Sequence, residues 1–256
     1  KLKLLKQAKK SFVNKSDKVL STKVQGGSVI WFSLDTPQPG ELGVVENLLI
    51  DRAFSPSPSE ANEISELVDI TPTVPHNIMN ALAASALALS LGVKYQSIKE
   101  GLKNFSTDHH RMELVLSKGE INWVDDSKAT NPHAAAASLM SHLSVVWVAG
   151  GLAKGADMET LIQRCAPRIK TALLIGTDRA LIEKALIDHA PQVQRILIET
   201  PADYLRGGES NSLMEAIITE AAKHVSSGDA VLLAPACASM DQFISYDDRG
   251  NRFAAA

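Results

Sequence analysis

The sequence predicts an α/β protein whose larger part, residues 107–256, is an open, doubly wound parallel sheet. Three observations carry that prediction. Four apolar runs, "VVWVAGG" (145–151), "TALLIGT" (171–177), "RILIE" (195–199) and "AVLLAPA" (230–236), are continuous rather than alternating. Strands read this way when helices cover both faces of a parallel sheet. Helical stretches over 156–166, 178–189 and 211–226 separate them, so strand and helix alternate. Before Phe105 the pattern is less regular, which places a domain boundary near 105–108.

In chain order, residues 1–10 carry Leu2, Leu5 and Ala8 at helical spacing, with lysines between, and predict a helix. "SFVN" (11–14) follows as a short strand, and "NKSDKVL" (14–20) reads as a turn opening a helix. "SVIWFSL" (28–34) and "LGVVENLLI" (42–50) are β-rich runs on either side of the Pro/Gly turn "DTPQPGE". The Ser- and Pro-rich stretch 52–75 predicts loop. From Pro75 a strong helix runs to Gly92, and "SIKEGLKNF" (97–105) gives a second. "MELVLSKGEINWVDD" (112–126) then predicts two strands around a Lys-Gly turn.

The 256 residues suit one large or two ordinary domains, and 45% apolar with 21% charged residues is a globular balance. A net charge of −3 offers no basic face for nucleic acid. No run approaches the roughly 18 apolar residues a membrane span needs, and the basic start "KLKLLKQAKK" leads into no apolar signal segment. Cys165 and Cys237 lie far apart with no CxxC spacing, so a disulfide framework and a zinc site are both unexpected, and a reducing, cytoplasmic setting is the expectation. With no initiator Met, and a start that already reads as the body of a helix, the chain is expected to be part of a longer protein.

Ligands of open parallel sheets gather beyond the C-terminal strand ends. Four loops fall there: "DDSKATN" (125–131), "AGGLAKGAD" (149–157), "GTDRA" (176–180) and "APACASMDQF" (234–243). In the second, Gly150 and Gly151 permit close ligand approach and Lys154 supplies a cation near a helix start. Its spacing is neither G-x-G-x-x-G nor that of a phosphate-binding P-loop. Lys128, in the first loop, is a second lysine at the same edge. With the hydroxyls of Ser127, Thr130 and Ser239 the pair suits a small dicarboxylate or a phosphate. Asp125 and Asp126 are compatible with a Mg²⁺ site, a base or hydrogen-bond acceptors, and equally with a cap on the helix near Pro132. Asp241 is expected to cap the next helix, and Cys237 to be a buried structural cysteine. His76 suits packing or capping, and the adjacent pair His109 and His110 is poor metal geometry.

Together, "HRMELV", "DDSKATNP", "VAGGLAKGAD" and "LLAPACASMDQFISYDDRGNRF", with the helix "HNIMNALAASALA", resemble the Mur ligases. The combination of "DSKATN" with "PACASMDQF" favours the D-glutamate-adding branch over sister ligases and folylpolyglutamate synthetases. The resemblance implies that residues 1–106 are the later part of a central ATPase α/β domain. It implies that 107–256 are a Rossmann-like, amino-acid-binding C-terminal domain. It further implies ATP and Mg²⁺ as cofactors, UDP-N-acetylmuramoyl-L-alanine and D-glutamate as substrates, and a monomer. Residue by residue, Lys1 matches a lysine that the family carbamylates to help bind Mg²⁺. Asn80, Arg111 and Asp126 match nucleotide-contacting positions. Lys128 and Thr130 match positions near the incoming amino acid, Lys128 with a catalytic part, while Lys154, Ser239, Met240 and Tyr246 match positions around its carboxylates. Asp125 stands where the family often has Asn, "NKSD" replaces N-x-D-D, and Tyr246 holds a position often taken by Phe. The family's phosphate loop G-T-N-G-K-[ST]-T does not occur in these residues, so the stretch by itself is expected to be inactive, and its rival reading is a non-catalytic amino-acid-binding module.

Overall fold

A computed structural model describes residues 8–24 and 28–256. The chain divides between Thr107 and Asp108 into two compact units.

In the first unit the strands are β1 (Lys10–Asn14), β2 (Ser28–Phe32), β3 (Glu41–Val45), β4 (Leu48–Asp51) and β5 (Asn62–Glu66), and they lie side by side in that order. The pairs β1/β2 and β2/β3 are parallel, whereas β3/β4 and β4/β5 are antiparallel. Helix α1 (Lys18–Lys23) starts where Asp17 accepts from the Val19 and Leu20 amides. Helix α2 (Pro75–Ser90) opens with Pro75, whose missing N–H costs nothing in the first turn. It buries Ile78, Ala81, Leu82, Ser85 and Leu89, a helical stripe, in a core with Leu42, Leu49 and Ile64. Helix α3 is Tyr95–Lys103.

Three expectations change here. Residues 1–7 of the first predicted helix lie outside the described residues, and Lys10 already belongs to β1. The β-rich run 42–50 is β as expected but divides into a hairpin, because Glu46 turns the chain at φ 53° and Val45 pairs with Leu48. The stretch 52–75 is not all loop: β5 pairs with β4 although only Ile64 and Ser65 of "NEISE" are buried, too weak a pattern to read.

The second unit contains β6 (Glu113–Lys118), β7 (Ile121–Asp125), α4 (Pro132–Leu139), β8 (Val145–Gly150) and α5 (Met158–Cys165). It continues with β9 (Ile169–Ile175), α6 (Arg179–His189), β10 (Gln194–Leu197), α7 (Ser212–Ala222), β11 (Ala230–Leu233) and α8 (Tyr246–Ala255). The sheet order is β10-β9-β8-β11-β7-β6. Only the β6/β7 hairpin, turned by Gly119 and Glu120 at φ 59° and 60°, is antiparallel. All the other pairs are parallel, so the expected α/β parallel-sheet class holds. Every residue of β8 is buried. Val146, Val148, Leu173, Ile175, Val231 and Leu233 pack on one face against Leu213, Met214 and Ile217 of α7 and Phe253 of α8. Because β7, β8, β9 and β11 run the same way, the four polar loops that follow them emerge at one edge.

Candidate functional site

The loop after β7 is fastened before it can present anything. The Asp126 amide donates to the Leu233 carbonyl at 2.8 Å, and the Ala236 amide to the Ala129 carbonyl at 2.9 Å, so it is stitched to the loop after β11. Asn131, not either aspartate, caps α4, its side chain accepting from the Ala134 amide at 3.0 Å. That frees the aspartates for other work. Asp125 accepts from His110 Nδ1 at 2.7 Å and from the Ser127 amide at 2.8 Å. Asp126 accepts from the Met112 amide at 3.3 Å and from the Ser138 hydroxyl. Burial pushes the Asp126 carboxyl up to about 6 against those two hydrogen bonds. It raises Asp125 as well, against the opposing bond from His110.

Helix α8 closes the other side. Ser245 caps it by accepting from the Asp248 amide, so Asp241 does not cap the helix that follows it. Asp241 Oδ2 accepts instead from the Thr177 amide at 2.8 Å, which joins the loops after β11 and β9. Tyr246, at the first helical position, lies under Lys128, whose Nζ is 3.5 Å from the ring centroid. Ser127 donates to the Tyr246 carbonyl at 2.7 Å. Arg249, fully buried, reaches back across the site. Its Nε donates to Ser127 Oγ at 2.9 Å, one Nη to the Ser127 carbonyl at 2.9 Å, and both Nη atoms to the Cys237 carbonyl at 3.3–3.4 Å. Burial pulls its pKa down to about 10, which leaves it charged at neutral pH.

The glycine loop after β8 meets the same centre. Leu152 and Ala238 exchange both backbone hydrogen bonds, at 2.8 and 3.0 Å, tying the Lys154 loop to the Ser239 loop. Gly151 has φ 127°, and a Cβ there would fall 2.2 Å from the Ala238 carbonyl oxygen, so nothing larger permits this approach. Lys154 is exposed at φ 52°. Ser239 is buried and Met240 is 49% exposed at the loop's tip. Burial pushes the Cys237 thiol up to about 12, so it stays protonated and is no nucleophile.

Lys128, Thr130, Lys154, Ser239, Met240 and Tyr246 thus stand on three stitched loops and one helix of a single unit. Arg111, exposed, and Asp126 belong to that unit too. Asn80 does not: it sits on α2 of the first unit, lining with Asn77, Ile70, Thr71 and Phe105 a largely apolar cavity of about 400 Å³. Lys1 lies outside the described residues. Among those described, His110, Glu113 and Asp125 offer donor atoms within 4.8 Å of one another. That set does not fit Mg²⁺, which prefers an all-oxygen octahedron, because His110 and Asp125 already bond each other and Glu113 accepts from the His110 amide at 2.9 Å.

Sequence reasoning missed Arg249, the His110–Asp125 pair and the bridging carboxylate of Asp178, whose Oδ2 accepts from the Ala153 amide at 2.8 Å. Nothing in "YDDRGNRF" marks Arg249 rather than Arg252 as the buried one, since arginines are ordinarily exposed.

Residues 110–237 match the family model described as the Mur ligase, glutamate ligase domain. A UDP-N-acetylmuramoylalanine–D-glutamate ligase of Thermobifida fusca is 48% identical over 227 residues, covering 88% of this chain and 47% of that protein. Its counterpart in Streptomyces coelicolor is 47% identical over 233 residues, covering 91% and 48%. The chain therefore spans about half the length of the curated relatives it matches. Among solved structures, a pseudomurein peptide ligase type C from Methanothermus fervidus superposes with a TM-score of 0.64 at 15% identity, covering 99% of this chain and 57% of that one. The UDP-N-acetylmuramate–alanine ligase of Thermotoga maritima gives 0.56 at 15%, covering 95% and 50%. At such identities these two speak for the fold alone.

Proposed function

The chain belongs to the Mur ligase family, and on that premise we propose that it is the D-glutamate-binding portion of an ATP-dependent ligase that acts on UDP-N-acetylmuramoyl-L-alanine. The observation that carries this reading is the convergence of Lys128, Thr130, Lys154, Ser239 and Tyr246 at one edge of one sheet. On this reading residues 108–256 hold the amino acid. Residues up to 107 are the later part of the nucleotide-binding domain, and the work belongs to cytoplasmic peptidoglycan precursor synthesis.

The reaction would transfer the γ-phosphoryl group of ATP to the terminal carboxylate of the UDP-sugar, giving an acyl phosphate and ADP. The D-glutamate nitrogen then attacks the acyl carbon. The C–O bond to phosphate breaks, leaving the amide, phosphate and a proton. What this portion supplies is position and charge. D-glutamate brings two carboxylates, and two lysines on separate, stitched loops match them with charge-assisted hydrogen bonds. Ser239 and Thr130 add hydroxyl donors, and the Met240 backbone shapes the mouth. Tyr246 holds Lys128 in place by stacking beneath its ammonium. Fixing the donor in this way turns a bimolecular attack into a local one, which is where the larger part of such a rate gain arises. Arg111 and Asp126, with Asn80 from the first unit, are assigned to the nucleotide.

Calorimetric titration of the chain with D-glutamate and with L-glutamate tests the reading. D-glutamate is expected to bind more tightly. Lys154→Ala is expected to weaken it about 10- to 100-fold, the equivalent of one charge-assisted contact of about 1.5–3 kcal/mol. Equal affinity for the two enantiomers, or a Lys154→Ala variant that binds as the parent does, would refute it.

A further inference from the structure

We propose that Asp178 is a positioning residue for Lys154, and that with Asp241 it couples the Lys154 turn to the Ser239 loop. The inference rests on the reading that Lys154 holds D-glutamate. Lys154 has a left-handed backbone, φ 52°, and its side chain is exposed, so its own contacts do not hold the turn. A non-glycine residue persists in that region only where its surroundings over-determine it. The Leu152–Ala238 bridge anchors one end of the turn, and Asp178 adds the determination next to Lys154 itself. Its Oδ2 accepts from the Ala153 amide at 2.8 Å and its own amide donates to the Gly151 carbonyl at 3.0 Å, so it grips the turn one residue before Lys154 and again at Gly151.

The grip has a visible cost. Asp178 occupies the N-cap position of α6, where a carboxylate ordinarily accepts from the helix's own amides, yet its side chain makes no such bond. It leaves the helix uncapped in order to hold a different loop. The next link is Asp241, whose Oδ2 accepts from the Thr177 amide at 2.8 Å. Gly176 lets the three loops close on one another: a Cβ there would lie 2.5 Å from Gly151 Cα and 2.6 Å from Asp241 Oδ2. A continuous path of bonds and packed backbone then runs from Ser239, two residues before Asp241, through Thr177 and Asp178 to Lys154. Lys154 and Ser239, on separate loops around one small ligand, need their spacing fixed, and this path reinforces the spacing that the Leu152–Ala238 bridge sets.

The test is a double-mutant cycle read by D-glutamate affinity, with Asp178→Ala, Lys154→Ala and the double variant, and with Asp178→Asn as a control that keeps an acceptor for the Ala153 amide. Asp178→Ala is expected to weaken binding about tenfold, and the double variant to bind no more weakly than Lys154→Ala alone, because coupled residues are non-additive. Asp178→Asn is expected to retain the larger part of the affinity. In ¹⁵N spectra without ligand, the Ala153 amide is expected to move upfield and lose exchange protection in Asp178→Ala while the chain still melts cooperatively. Losses that add in the double variant, unchanged binding in Asp178→Ala, or an unmoved Ala153 resonance would each overturn the proposal while leaving the role of Lys154 intact. Parent-like affinity in Lys154→Ala would withdraw that role, and this proposal with it, whatever the Ala153 resonance does.

Discussion

At Asp126 function and stability pull apart. The residue is 8% exposed, among the described residues no cation lies within hydrogen-bonding distance of its carboxyl, and burial holds that carboxyl near 6. An unfolded aspartate titrates near 3.9, so between about pH 4 and 6 the folded chain binds more protons than the unfolded one. Stability therefore falls as pH rises through that window, and the whole penalty, of order 2–3 kcal/mol, is present at neutral pH. Asp126→Asn keeps an acceptor for the Met112 amide and the Ser138 hydroxyl while removing the charge. The variant is expected to melt several degrees above the parent at pH 7.5, with the gap closing by pH 4.5, and to bind nucleotide less well. A melting temperature below the parent's at pH 7.5 would mean that the folded site stabilises the ionised carboxylate after all. A residue that costs stability where an amide would not is the kind expected at a working site.

Helix α8 shows the same logic one level up. Tyr246, Arg249, Gly250 and Phe253 fall on one helical stripe, so one rigid element presents the ring under Lys128, the guanidinium under the "DDSKATN" loop and an apolar anchor in the core. Gly250 is the seam. A Cβ there would meet His110 Nδ1 at 2.2 Å and Asp125 Oδ2 at 2.6 Å, both parts of one buried hydrogen-bonded pair. In an exposed helix interior, Gly→Ala would add about 1 kcal/mol of stability. Gly250→Ala is expected to do the reverse, lowering the melting temperature by about 5 °C or more for a loss of at least 1–2 kcal/mol and weakening D-glutamate binding as α8 is pushed away. A melting temperature at or above the parent's would show that α8 does not pack on His110 this closely. The sequence revealed such elements unevenly. Periodicity made α2, the β6/β7 hairpin and the strand–helix repeat legible, because each repeats a burial pattern over many residues. It did not reveal β5, with two buried residues, or the hairpin inside 42–50, whose turn rests on Glu46 rather than glycine. Single carboxylates that leave their own helix to bond another loop, as Asp178 does, follow from tertiary contact alone.

Taken whole, the molecule has two units with separate apolar cores, one built around Leu42, Leu49, Ile64 and Leu82, the other around Val146, Leu173, Ile217 and Val231. The candidate residues divide unequally between them. Every side chain assigned to the amino acid, from Lys128 to Tyr246, lies in residues 108–256, whereas the residues matched to the nucleotide by resemblance are Asn80 in the first unit and, apart from it, Arg111 and Asp126 in the second. The motifs at the strand ends made the first set readable, since one sheet edge collects all of its loops. The second set was readable only through resemblance, because no pattern within either unit links Asn80 to Arg111. Residues 108–256 carry a six-stranded sheet and helices α4 to α8, enough to close a core without the rest. Expressed alone, that segment is expected to unfold in one cooperative transition and to bind D-glutamate within about threefold of the 256-residue chain, a difference of less than 1 kcal/mol. Nucleotide affinity, by contrast, is expected to fall when residues 1–107 are removed. Calorimetry on the two lengths, with each ligand in turn, separates the outcomes. Loss of D-glutamate binding from a segment that still melts cooperatively would place part of the cradle in the first unit, and the division of labour argued from Lys128, Lys154 and Ser239 would fail.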